Sequence, residues 1–157
     1  IKNEEVVDGV GMNAKMNEFC AAMGLCNLRY IKKTIDERKK VIERYKNFLK
    51  NIDGIQVNVI SEDIESNYAY FPVVFDEREF GSSRNEVATS LEENSIYPRK
   101  YFYPLTNTFD CYHDQYNVMD TPVALHISKR ILTLPLYPDL PLEEVDRICE
   151  IILSCKK

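Results

Sequence analysis

From residue 31 to residue 52 apolar side chains recur at Ile31, Ile35, Ile42, Tyr45, Leu49 and Ile52, in steps of three and four that only Arg38 interrupts. That spacing places them on one face and predicts a long helix with one wet side. Lys32, Asp36, Lys39, Lys40, Glu43 and Arg44 lie on the other side and mix both signs of charge, as a solvated face does. Asp53-Gly54 then ends the helix, because glycine adopts the left-handed conformation of a C-terminal cap without steric cost.

The period changes after Gly54. Ile55–Val59 alternates apolar with polar and predicts a short strand, and Tyr68–Phe75 predicts a longer one. Pro72 has no N–H to give to a ladder, which favours an edge position or a bulge. Ser83 and Glu86 have the spacing of a capping box and open a helix over 84–93, with Asn94 as its C-terminal cap and an extended segment from Ile96. Thr121-Pro122 opens another helix that runs to about Ile131, with Thr121 as cap and Pro122 in the first turn. Leu132–Leu134 is a short strand stopped by Pro135. Pro141 starts a last helix whose Val145, Ile148, Cys149, Ile152 and Cys155 share one face. Long helices followed by short strands alternating with helices predict a small α/β or α+β domain, its mixed or antiparallel sheet covered by helices.

Two stretches carry candidate chemistry. Gly9-Val10-Gly11-Met12-Asn13 is a glycine-punctuated loop leading into a helix, and the first N–H groups of a helix attract anions. Asn13 can donate its amide to a phosphate there, or simply cap its own helix. The helix that follows is apolar almost all round from Phe19 to Cys26, which calls for cover on several sides. The second stretch, 97–116, interleaves tyrosines and phenylalanines with Arg99, Lys100 and His113 and has no periodicity. Rings beside cations can stack on a base or sugar and pair with phosphate; the same rings can also pin a loop to the core.

Composition narrows the classes. A chain of 157 residues with 45% apolar side chains builds one domain, or one domain with an appended helical segment. A net charge of −5, with its cations scattered along helix faces, argues against nucleic acid. No apolar run approaches the roughly 18 residues of a membrane span, so no membrane partner is expected and a soluble, cytoplasmic protein is. Cys20, Cys26, Cys111, Cys149 and Cys155 form no C-x-x-C pair and have no histidine at zinc spacing, so no metal is expected. Cys20 and Cys26, placed in a buried helix, and Cys149 and Cys155 are expected as reduced, inert core thiols. Neither His113 nor His126 stands at a recognisable spacing from a serine or cysteine nucleophile, which makes a hydrolase a poor reading.

Gly11-x-Asn13-x-Lys15-Met16-x-Glu18, with Ala21-Ala22-x-Gly24-Leu25 behind it, is followed downstream by Tyr103-Pro104-Leu105 and Leu134-Pro135-Leu136-Tyr137-Pro138. In that order the segments resemble the C-terminal half of the DegT/DnrJ/StrS family of pyridoxal-phosphate-dependent sugar aminotransferases, over about residues 9–153. Lys15 stands where that family more often has arginine, and Thr106-Asn107 where a histidine is common, departures that bear on the substrate.

The resemblance implies the small C-terminal domain of a fold-type I enzyme, with residues 1–52 as a loop and helical segment joining it to a large domain and 53–157 as the small domain itself. Ile1 and the acidic lead Glu4-Glu5 read as the middle of a longer protein, and the lysine that forms the Schiff base is expected in the large domain. No catalytic residue is then expected in this chain, which alone is predicted inactive. Lys15 is expected to pair with an acid and not to form a Schiff base. By the same resemblance Asn13 reaches the phosphate of pyridoxal phosphate in the neighbouring subunit of a homodimer, and Lys100, Tyr101, Tyr103 and Asn107 line the sugar or nucleotide pocket. The implied reaction moves an amino group, with glutamate as donor, to a keto sugar on a nucleotide. A dehydratase on the same cofactor, or an interaction domain without chemistry, are the alternatives.

Overall fold

The computed structural model describes residues 15–61, 63–112 and 115–157. Among them run α1 (Glu18–Leu28), α2 (Ile31–Leu49), β1 (Ile55–Val57), β2 (Phe71–Phe75), α3 (Glu77–Phe80), α4 (Arg84–Glu93), α5 (Pro122–Ser128), β3 (Ile131–Leu134) and α6 (Leu142–Ser154). Short 3-10 turns lie at Thr106–Thr108 and Val118–Asp120. Lys33 closes a first compact unit and Thr34 opens a second that runs to Lys157.

In the first unit the Asn17 side chain accepts from the Cys20 backbone N–H at 2.9 Å and so caps α1. A helix apolar all round calls for cover, yet α1 buries no residue. Phe19 is 86% exposed. The expectation of a covered helix with core thiols is thereby corrected: Cys20 and Cys26 are both exposed, as is Cys111, whereas Cys149 is buried.

The second unit is built on an antiparallel sheet in the order β1-β2-β3. Phe71, Val73 and Phe75 alternate into the core along β2, as the two-residue period of a strand requires. Tyr68, at φ +48°, cannot belong to the strand, and β2 runs only from Phe71. Pro72 takes neither the edge position nor the bulge that its missing N–H favours: β2 is the central strand and its register with β3 runs regularly through Pro72. The ladder itself explains the tolerance. Both backbone groups of Thr133, opposite Pro72, turn away to Arg99, and β1 ends at Val57 opposite Val73. The missing N–H of Pro72 therefore falls where no partner strand remains.

Helices cover this sheet. The buried stripe of α2 starts only at Val41 and continues through Ile42, Tyr45 and Leu49, while Ile31 stays exposed. Tyr45 stacks on Phe71 with centroids 5.0 Å apart and donates its hydroxyl to the Pro135 carbonyl at 3.1 Å. One side chain thus ties α2 to β2 and to the segment after β3, a hydrogen bond worth about 1 kcal/mol. Arg44 grips Asp146 of α6 through two bonds of 2.6 Å. Val87, Ala88 and Leu91 of α4 and Val145, Ile148 and Ile152 of α6 complete the core. The capping box of α4 forms as the spacing predicts, with Asn94 as C-terminal cap. Thr121 precedes α5 but makes no side-chain cap, because its hydroxyl donates to the Val118 carbonyl at 3.3 Å and accepts from Asn107 at 3.1 Å. Helix α5 also ends at Ser128, since β3 already begins at Ile131.

Candidate substrate cleft

The segment from Ile96 to Thr121 leaves the core at a fastened point. Arg99 donates its N–H to the Thr133 carbonyl at 3.0 Å and accepts from the Thr133 N–H at 2.7 Å, adding a single bridge to the free edge of β3. Past that bridge the chain turns sharply, Tyr103 N–H donating to the Lys100 carbonyl at 2.7 Å. The Tyr101–Phe102 and Tyr103–Pro104 peptides are cis.

The rings of this turn are ordered by one another and by two cations. The Arg99 guanidinium lies 5.4 Å from the Tyr101 ring centroid and donates a hydrogen bond to its hydroxyl. Tyr101 stacks on Phe102 at 4.8 Å and meets the edge of Tyr70 at 5.8 Å. Arg84, from the first turn of α4, stands 5.0 Å from the centroid of Tyr103. Burial lowers the Arg84 guanidinium from its ordinary value, with Tyr103 opposing.

Lys100, Tyr101 and Tyr103 line one open cleft of about 460 Å³, with Arg99 and Glu92 at its sides. Arg99 and Tyr101 form a ridge, and beyond it Tyr70, Tyr97 and Tyr137 wall a second cleft of about 310 Å³. Asn107 is separate from the first cleft: it lines a neighbouring hollow with Tyr116 and Thr121. Three of the expected pocket residues are therefore brought together, and the fourth sits next door. Asn13 and His113 lie outside the described residues. Lys15 is exposed.

Two cleft features escape the linear pattern. Arg84 reads as an ordinary helix-start residue, although a cation in a first turn opposes the helix dipole and is a signal that something else holds it there. Tyr137 stands in the Leu-Pro-Leu-Tyr-Pro segment that marks the resemblance, yet nothing in the linear pattern places its ring beside Tyr97.

Among the described residues no group of histidine, cysteine and carboxylate side chains could hold a metal ion. No described helix is long and apolar enough to cross a membrane.

The antiparallel sheet is backed by helices and carries a cation-and-tyrosine cleft at its edge. The pattern of the DegT/DnrJ/EryC1/StrS aminotransferase family matches residues 2–153, and the chain belongs to that family. It is 37% identical over 156 residues to dTDP-4-amino-4,6-dideoxy-D-glucose transaminase of Escherichia coli, covering 98% of this chain and 42% of that protein. GDP-perosamine synthase of Vibrio cholerae is 30% identical over 159 residues, with 97% and 42% covered. In three dimensions the chain superposes with a TM-score of 0.84 on DesI, solved in the presence of its TDP-sugar product, at 28% identity over 92% of this chain and 37% of that one. The chain thus spans about two fifths of the length of the curated relatives it matches.

Pyridoxal phosphate, which the family implies, needs a lysine shielded from water, an acid facing its ring nitrogen and donors for its phosphate. No described lysine is buried, and Lys100 opens to solvent. The described residues do not by themselves make a site for that group.

Proposed function

We propose that these residues form the C-terminal part of a pyridoxal-phosphate-dependent transaminase that moves an amino group, with glutamate as donor, onto a keto sugar carried by a nucleotide. One observation carries the reading. On a chain of this family, the fastened turn after Arg99 gathers Lys100, Tyr101 and Tyr103 around a single cleft.

In this reading Lys100 and Arg99 offset the charge of the diphosphate, and the tyrosine rings pack against the sugar. Asn107, its amide donating to Thr121, meets the substrate from the neighbouring hollow and not from the tyrosine cleft itself. Asn13 donates to the cofactor phosphate of the neighbouring subunit in a cytoplasmic homodimer. The cofactor, when bound, supplies the electron sink for moving the amino group. The stretch up to residue 52 joins the small domain to a large one outside this chain, which provides the lysine, so residues 1–157 alone are inactive.

The name of the Escherichia coli relative gives an amino sugar, and replacing its 4-amino group by a ketone gives the test substrate, dTDP-4-keto-6-deoxy-D-glucose. The whole protein, loaded with pyridoxal phosphate and given glutamate and this sugar, is expected to release 2-oxoglutarate and amino sugar in equal amounts. Loss of a hydroxyl from the sugar without gain of nitrogen, or turnover by residues 1–157 alone, would overturn the reading.

A further inference from the structure

Arg84 is 4% exposed, yet its positive charge meets no carboxylate among the described residues. Its Nη1 donates to the carbonyls of Ser128, at 3.2 Å, and Ile131, at 3.1 Å, the last residue of α5 and the first of β3. Its Nε is buried without a hydrogen-bond partner. A buried donor left unpaired costs about 1–3 kcal/mol, so a side chain chosen only to fill this space would be apolar. What a planar cation does suit is the ring of Tyr103, 5.0 Å away. Tyr103 is 50% exposed, covered by the guanidinium and open toward the cleft it shares with Lys100 and Tyr101.

We infer that Arg84 is a positioning residue for substrate: anchored on the α5–β3 connection, its guanidinium holds the Tyr103 ring in the orientation that packs against the sugar. The inference rests on the reading of this cleft as the sugar-nucleotide site. Anchor and ring are joined through one planar group, and lysine cannot replace it: an ammonium could donate to both carbonyls but lacks the plane that lies over the ring.

The test uses the whole protein. Arg84→Lys is expected to raise KM for dTDP-4-keto-6-deoxy-D-glucose about 5- to 20-fold. It leaves kcat and the KM for glutamate within about twofold, because it acts on sugar binding alone. Tyr103→Leu raises the same KM, and the double variant is no more than about twofold worse than Tyr103→Leu, because Arg84 acts through that ring. Arg84→Gln, which keeps a donor but no charge, is read in the same way should Arg84→Lys fold poorly. A lower Tm with the sugar KM unchanged, or single effects that multiply in the double variant, would overturn the inference. A second readout needs no substrate. With 3-fluorotyrosine at position 103, Arg84→Lys is expected to move the 19F resonance toward that of the free amino acid, and an unmoved resonance rejects the contact. If the unsubstituted protein turns over no keto sugar, the functional reading fails, and the 19F shift still decides whether Arg84 orders Tyr103.

Discussion

A Cβ on Gly54 would stand 2.3 Å from the backbone nitrogen of Phe80. Gly54 also holds φ at +77° and accepts the Asp76 N–H at 2.7 Å, so the turn that feeds β1 lies directly against the backbone of α3. Neither the space nor the dihedral admits a side chain. Gly54→Ala is expected to cost about 2–4 kcal/mol, read as a lower urea midpoint with an unchanged m-value.

Glu86 titrates where it can be followed. The Lys157 ammonium, 2.7 Å away, and then the Ser83 N–H and hydroxyl hold its carboxyl down from 4.5 to about 2. A group whose folded value is depressed stabilises the fold above its unfolded value and loses that contribution as pH falls through the folded one. The urea midpoint should therefore decline between pH 4.5 and about 2, and Glu86→Gln should flatten part of that decline. Asp146, lowered first by its hydrogen bond to Arg44, acts in the same direction and leaves a residual slope. An acid limb unchanged in Glu86→Gln would rule the assignment out.

Thiol chemistry separates the exposed cysteines from the buried one. Burial, with Asp146 adding to it, pushes the Cys149 thiol up to about 12, while Cys20, Cys26 and Cys111 are exposed. Residues 1–157 are expected to react with a disulfide reagent rapidly at those three positions, and at Cys149 only on unfolding. In the whole protein, where the proposed large domain is present, Cys20 and Cys26 should become slow. Unchanged rates there would mean that nothing covers α1.

Lys100 is exposed on the cleft, so on the proposed reading it meets the diphosphate as a surface charge whose effect falls with salt. Lys100→Met is expected to raise the sugar-nucleotide KM about fivefold at low ionic strength and less in salt, with the glutamate half-reaction unaffected. A change confined to kcat would contradict a binding role.

The elements that bury a periodic face could be read along the chain. Val145, Ile148, Cys149 and Ile152 fall inward along α6, and the Ser83–Glu86 box caps α4, because both features are local. Pro72 could not be placed from its own neighbours, since whether it harms a ladder depends on where β1 stops and which way Thr133 faces. Thr121 failed as a cap because Asn107, fourteen residues earlier, competes for its hydroxyl. In the cleft, Lys100, Tyr101 and Tyr103 were legible as neighbours in sequence, whereas Arg84 reaches Tyr103 only once α4 has packed beside β3.

The Arg99–Thr133 bridge and the Asn107–Thr121 bond bear on how such a domain diversifies. The first is made by backbone atoms alone, so it places no demand on which side chain occupies position 99, and the second asks only for an amide and a hydroxyl. Between these fasteners Lys100 and Phe102 can be exchanged without loss of either fastening, whereas Tyr101 and Tyr103 are tied to Tyr70 and Arg84. On the proposed reading, a lineage can trial new ligands by rewriting a few codons in one exposed turn, so long as it keeps the ring that Arg84 holds.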